Sequence, residues 1–314
     1  MAETLVVALG GNAITRPGEP GTIPQQFEHT AETLNRLRPL FQSDARIVIT
    51  HGNGPQIGNI LIRVEEGERR VPRLPLDTCV SDSQGGMGYM IQRVACEMFR
   101  RENIARGVVT LITQVLVSEG DPGMVHPSKP IGPFYGRDEI ERIRAERAHW
   151  ELGEMEPGRW RRLVASPRPL RILEEGAISC LLDAGIVVVA CGGGGIPVAW
   201  EGGRLVGVEG VIDKDLASAL LARHLRAHKL IIVTSVDRAA IRFNRPDRQW
   251  LDTITVAQAR QYLGAGEFPP GSMGPKIEAA IEFVSQGGGE CIITSARQAA
   301  RAIRGQAGTH IVAS

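Results

Sequence analysis

Of the 36 basic residues in this 314-residue chain only four are lysines, Lys129, Lys214, Lys229 and Lys276; the other 32 are arginines. Against that background each lysine invites a chemical reason. An ammonium is a compact, mobile point charge suited to neutralising a phosphoryl group in transfer, whereas a guanidinium is planar and geometrically fixed. Lys129 stands in HPSKPIGPFYG (126–136) and Lys276 in GSMGPKIEAA (271–280). Lys214 stands in VIDKDLAS (211–218), where Asp213 or Asp215 can act beside a helix N-terminus. A single lysine is ordinarily a surface charge, and for Lys229, which opens an apolar run, a strand-end cation is reading enough.

Three further stretches carry backbone chemistry: GGNA (10–13), HGNGP (51–55) and CGGGGIP (191–197). Each ends an apolar run. Glycine there lets backbone N–H groups face an anion, and a following helix N-terminus adds favourable potential. One such loop is more often plain turn geometry; three together point to an anionic ligand. The nucleotide motifs with fixed spacing do not fit. GxxxxGK[ST] is absent, and GNGPQIG (52–58) is one residue longer than the dinucleotide fingerprint, holds Pro55, and lacks the acidic strand end that should follow. No Ser-His-Asp or Cys-His constellation stands out. His51 abuts a glycine loop, where it contacts substrate or is tied to backbone, and His126 shapes the Lys129 segment. No His/Cys/Asp cluster has metal-ligand spacing.

Positioning these groups falls to short apolar runs alternating with helical stretches. TLVVAL (4–9), RIVIT (46–50), a run over 108–114, IVVVA (186–190), KLIIVTS (229–235) and ECIIT (290–294) read as strands. Helices are expected over 25–41, from Pro55, and over 81–102. Continuous apolar strands alternating with helices predict an α/β fold with a mostly parallel central sheet covered on both faces. From 118 to 166 the rhythm breaks into prolines, glycines and the charged helix RDEIERIRAER (137–147), which predicts an inserted, lid-like lobe in an otherwise single 1–314 domain. A net charge of +1 gives no electrostatic footprint for nucleic acid or a membrane surface. Five cysteines without a CxxC, and a start (MAETLVVALGG) without a basic segment, make a reduced cytoplasmic protein the expectation.

Several segments together carry a family resemblance: ALGGNA (8–13), THGNGPQIG (50–58), PLD and SQGGMGY (75–77, 83–89), KPIGPFY (129–135), GGGGIPV (192–198), GVEGVIDKDLASALLA (207–222) and GSMGPKIEA (271–279). In that order, over nearly the whole chain, they resemble carbamate kinase, a branch of the amino-acid kinase family. The resemblance implies an α/β/α sandwich, a homodimer, a protruding subdomain, and Mg²⁺-dependent phosphoryl transfer between ATP/ADP and carbamate/carbamoyl phosphate within arginine or related nitrogen catabolism. It assigns catalysis to Lys129, Lys214, Asp215 and Lys276, with Asp215 organising the lysines. It assigns phosphate or nucleotide contacts to Gly10, Gly11, Asn12, Gly193, Gly194, Asp237 and Met273, and the acceptor to Gly52, Asn53 and Gly54. Asn53 in HGNGP resembles the carbamate branch more than acetylglutamate kinases. The chain departs from the pattern at Ala239-Ala240, where a bulkier, often aromatic, residue is expected beside the nucleotide. A carbamate is already an anionic nucleophile, so catalysis reduces to alignment and charge neutralisation. The alternatives are a kinase of another small carboxylate or phosphate, or a catalytically silent nucleotide-binding regulator.

Overall fold

The computed structural model describes residues 2–16, 18–148, 150–269 and 271–314, with Asn12 described by its backbone alone. Thr4–Leu9 (β1) is buried at every position and forms the spine of an eight-stranded sheet. The other strands are Arg46–His51 (β2), Val108–Thr110 (β3), Val187–Val189 (β4), Lys229–Thr234 (β5), Thr253–Thr255 (β6), Glu290–Ser295 (β7) and Thr309–Val312 (β8), in the spatial order β6-β8-β7-β5-β1-β2-β4-β3. Every neighbouring pair runs parallel except β7 and β8. Such strands bury both faces, which is why they are legible as unbroken apolar runs. The two-residue period assigns Leu5, Val7 and Leu9 to one core and Val6 and Ala8 to the other, so helices pack on both faces as an α/β/α sandwich.

Ile23–Phe41 (α1) and Leu76–Arg101 (α3) cover the Leu5 face. Thr22 and Gln25 close a capping box at the start of α1, and Phe41 meets Phe99 at 5.4 Å between ring centroids. Lys214–His224 (α5) and Met273–Ser285 (α6) cover the Val6 face. Gly54–Gly67 (α2) leaves β2 with Pro55 in its first turn, as Pro55's position predicts.

Two expectations shift. The long helix begins at Leu76, not Ser81, because Glu209, distant in sequence, accepts the Leu76 N–H at 2.8 Å and so satisfies a helix-start donor. The strand expected over 108–114 breaks after Thr110. Gln84 bonds both the N–H and the carbonyl of Thr113, at 2.8 and 3.1 Å, and Glu174 takes the Gln114 N–H at 2.8 Å. Gln114–Leu116 then joins a second sheet with Arg171–Ile172, Ile196–Glu201 and Arg204–Gly207.

Between residues 118 and 166 the chain builds a three-stranded antiparallel sheet from Lys129–Gly136, Glu151–Glu156 and Arg159–Val164, with the helix Arg137–Glu146 (α4). Tyr135, Ile140 and Ile143 form its own small core, against which Trp150, Leu152 and Trp160 pack. No described helix is long and apolar enough to cross a membrane.

Candidate active site

At the carboxyl ends of β1, β2, β5 and β7 two clefts meet. Ligands in open α/β sheets bind at this edge. The larger, of about 1030 Å³, runs over Gly10, Gly11, the 233–238 segment that leaves β5, and Ser295–Arg297 at the end of β7. The smaller, of about 310 Å³, is bounded by Gly52–Pro55, Lys129–Ile131 of the lobe and Gly193. Gly11, Lys214, Ser272 and Lys276 line both.

The shared wall is built from two helix starts. Asp213 caps α5 by accepting the Asp215 N–H at 2.9 Å, and Lys214 is the helix's first residue. Ser218, on the next turn, bonds the Lys214 carbonyl and the Thr50 hydroxyl at 2.6 Å each, fixing α5 against β2. Lys276 comes from the first turn of α6. Its Nζ lies 3.0 Å from one oxygen of Asp215, while the Lys214 Nζ lies 2.5 Å from the other. The Asp215 side chain is only 3% exposed. Burial disfavours its charge, but the two ammonium groups outweigh this and hold the carboxyl down to about 2. Burial pushes Lys214 below the usual lysine range, against the pull of Asp215. Lys129 reaches down from the lobe and pairs with Asp213 at 2.8 Å, on the wall of the smaller cleft. The four groups expected to do the chemistry thus stand together, and Asp213 takes a place the sequence left open between it and Asp215. Lys229 lies elsewhere, bonding the Ile303 carbonyl at 3.2 Å beside Glu3 and Glu290.

The glycine loops divide between the clefts. Gly10 donates to the Val233 carbonyl at 2.9 Å, and a Cβ there would stand 2.9 Å from that same oxygen, so only glycine lets β1 leave β5 this closely. The side chain of Asn12 lies outside the described residues. Gly52, Asn53 and Gly54 line the smaller cleft. Asn53 is buried, and its amide donates to Ser83 Oγ at 2.8 Å, a positioning partner that the sequence reading missed. Gly193 and Gly194, expected at the phosphates or nucleotide, do not line the larger cleft. Gly193, at φ +67°, lines the smaller one, and a Cβ on it would fall 2.2 Å from the Asn53 amide. Gly194 packs on the Ile212 carbonyl, away from both. His51 is buried, contacts the Gly52 carbonyl at 3.2 Å, and is pushed by burial down to about 4; it is neutral and tied to backbone. His126 lines neither cleft.

Asp237 and Met273 line the larger cleft. Ser295 and Arg297 donate to Asp237 at 2.5 and 2.8 Å, and these bonds hold its carboxyl below the usual range. Where Ala239-Ala240 lacks bulk, the structure supplies it three residues on. Ala240 and Phe243 both line the cleft, and Phe243 meets Trp250 edge-on at 6.2 Å between centroids. The Ala240–Ile241/Gln249–Trp250 ladder sets that pair. Arg16, Arg36, Arg238 and Arg297 make the same cleft basic.

A parallel α/β sheet whose strand ends set a lysine–aspartate–lysine group between a nucleotide-sized cleft and a small one defines a phosphotransferase of small molecules. The chain belongs to the amino acid kinase family, whose model matches residues 3–295. Within that family it falls among the carbamate kinases. It is 40% identical to the carbamate kinase of Thermococcus kodakarensis over 98% of each chain, and 43% identical to the carbamate kinase-like protein YahI of Escherichia coli over 99% of each. Its fold matches the carbamate kinase of Giardia lamblia bound to AMP-PNP with a TM-score of 0.93 and 38% identity, covering 99% of this chain and 98% of that one.

Proposed function

We propose that this enzyme transfers the γ-phosphoryl group of ATP reversibly to carbamate, giving ADP and carbamoyl phosphate. The observation that carries the reading is the wall shared by the two clefts. Gly11, Lys214 and Lys276 face both, so one preorganised set of cations and backbone donors serves a nucleotide on one side and a small acceptor on the other. In the forward direction a carbamate oxygen attacks the γ-phosphorus and the bond to the ADP oxygen breaks, with no proton to remove. The work left to the protein is alignment and neutralisation of the charge that spreads over the transferring group.

In this reading Lys214 and Lys276 neutralise the phosphoryl oxygens, and Asp215 keeps both ammonium groups charged and in place. Gly10, Gly11 and Asn12 receive the reacting phosphates; Asp237, Met273 and Phe243 border the nucleoside. Gly52, Asn53 and Gly54 hold the acceptor, while Gly193 shapes Asn53. The lobe acts as a lid that delivers Lys129. The implied Mg²⁺ would come with the nucleotide. Both oxygens of Asp215 are engaged by lysines and those of Asp237 by Ser295 and Arg297, and no described cluster of three His, Cys, Asp or Glu offers a cage. When bound, Mg²⁺ would offset phosphate charge. The same reading makes the enzyme a cytoplasmic homodimer in arginine or related nitrogen catabolism.

Purified protein given ADP, Mg²⁺ and carbamoyl phosphate is expected to form ATP. No ATP overturns the reading. Tight ADP binding without transfer would identify a silent regulator, and phosphorylation of another small carboxylate in its place would identify a different acceptor.

A further inference from the structure

Two carboxylates, Asp213 and Asp215, stand among the described walls of the smaller cleft, whose occupant in the proposed reaction is itself an anion. Asp215 is offset by Lys214 and Lys276. Asp213 caps α5 with one oxygen, and that duty needs no charge, because asparagine and serine cap a helix about as well as aspartate. A bare carboxylate on this wall would repel the acceptor. Its presence calls for a second reason.

The other oxygen supplies one. It accepts from the Lys129 Nζ at 2.8 Å, and both residues line the cleft, with the Asp213 side chain 16% exposed and that of Lys129 37%. The lobe fixes Lys129 only through its backbone. Val164 is its ladder partner, and Ile131, two residues on, is buried with Ile57, Leu61 and Val211 of the body. A four-carbon stem on a fixed backbone still carries large rotamer entropy. A bond at its tip removes that freedom. An ammonium has three donors, so one spent on Asp213 leaves two for oxygens of the acceptor or the transferring group.

We propose that Asp213 is a positioning residue that holds the Lys129 ammonium over the acceptor cleft. Through its capping oxygen it also registers that ammonium to the start of α5, which carries Lys214 and Asp215. One carboxylate thus places the lysine of the lobe and the cation group of the body in a single frame, and its charge is cancelled where the anion enters. The role presupposes the phosphoryl transfer proposed above.

Asp213→Ser and Asp213→Asn test it, since each keeps a capping oxygen and removes the acceptor for Lys129. Each is expected to lower kcat/KM for carbamoyl phosphate by about tenfold or more, within the range set by displacing an aligned group, while the KM for ADP stays within about twofold. In a Lys129→Ala background, adding Asp213→Ser should change the rate by less than about twofold, because Asp213 acts through Lys129. Near-normal turnover in both single variants overturns the proposal. So does a loss from Asp213→Ser that is as large without Lys129 as with it, which is the mark of a cap alone. The pairing has its own readout in substrate-free protein labelled with [13C]lysine, whose four lysines give a sparse spectrum with Lys129 identified by its absence in Lys129→Ala. An anchored side chain shows two distinct Hε shifts on Cε, and a freely rotating one shows a single average. Lys129 is expected to show two that merge in Asp213→Ser, with Lys229 unmoved. An averaged Lys129 signal in the wild type, or a splitting that survives Asp213→Ser, overturns the pairing whether or not the enzyme forms ATP. A wild type that forms no ATP overturns the kinetic role together with the proposed reaction, and leaves the spectrum to decide the pairing.

Discussion

Asp215→Asn is the perturbation that most directly tests how the site is built. The carboxylate sits between two ammonium groups at 2.5 and 3.0 Å, and its side chain is 3% exposed. An amide keeps the shape and removes the charge. Lys214 and Lys276 then face each other without an anion between them, and burial, which already pushes Lys214 down, acts unopposed. Charge-assisted hydrogen bonds are worth about 1.5–3 kcal/mol each, and breaking a buried ion pair from one side costs about 3–5 kcal/mol. Misplacing a preorganised donor costs about 10²–10³ in turnover. ATP formation from ADP and carbamoyl phosphate should therefore fall by at least about 10²-fold, and the alkaline limb of the pH–rate profile should move to lower pH. The stability signature has a definite sign. Because the folded carboxyl is depressed to about 2, its contribution is complete above the unfolded carboxyl pKa and is lost as pH falls through the folded one. The Tm gap between wild type and variant should be constant from about pH 8 to 5 and close between about pH 4 and 2. A variant that turns over at near the wild-type rate with an unmoved alkaline limb would refute the reasoning, because Asp215 would then not be what holds the lysines charged.

Four further outcomes follow from the same geometry. Lys214→Ala and Lys276→Ala should each lower turnover by about 10²-fold or more in the same assay, and normal rates in both would remove them from the chemistry. Phe243→Ala should raise the KM for ADP several-fold while leaving kcat nearly unchanged, since an aromatic contact with a base is worth about 1–3 kcal/mol; steady-state kinetics decide it. Gly193→Ala places a Cβ 2.2 Å from the Asn53 amide at a positive φ, so it should raise the KM for carbamoyl phosphate and cost about 1–3 kcal/mol in a denaturant titration. His310 bonds Glu290 at 2.5 Å across β7 and β8, and that bond raises its pKa. Its contribution is full below about pH 6.5 and lost as pH rises through the raised value, so His310→Gln should flatten the decline in stability as pH rises above about 6.5.

What the sequence shows of this fold follows from what each segment packs against. β1, β2, β4, β5 and β7 are buried on both faces, so they read as apolar runs with no help from their neighbours. The lobe strands alternate charged and half-exposed residues, as in RWRRLV (159–164), and their pairing depends on partners that the local pattern does not name. The start of α3 is set by Glu209, far along the chain. The same division runs through the site. Lys214, Asp215 and Lys276 are legible because lysine is rare here and each stands at a helix start. The place of Gly193 beside Asn53 exists only because the two follow β4 and β2, which are neighbours in the sheet. Phe243 lies in the polar stretch RFNRPDRQW (242–250), and only the short ladder to Trp250 turns it toward the cleft.

The division of labour between arginine and lysine follows from volume and hydration. Four arginines line the larger cleft, where there is room for planar guanidinium groups. At the junction, two cations must approach the two oxygens of one carboxylate while their side chains are only 13% and 15% exposed. A guanidinium there would engage both oxygens of Asp215 bidentately and leave only their outer lone pairs for a second cation. An ammonium takes one oxygen and keeps donors free for a phosphate oxygen. Gly52 makes the same point from the other side: a Cβ on it would already lie 3.2 Å from the Lys214 Cδ, so the channel admits a slender methylene chain and little more. In a chain that otherwise uses arginine, Lys214 and Lys276 stand where two positive charges share one buried anion and a third group must still be reached.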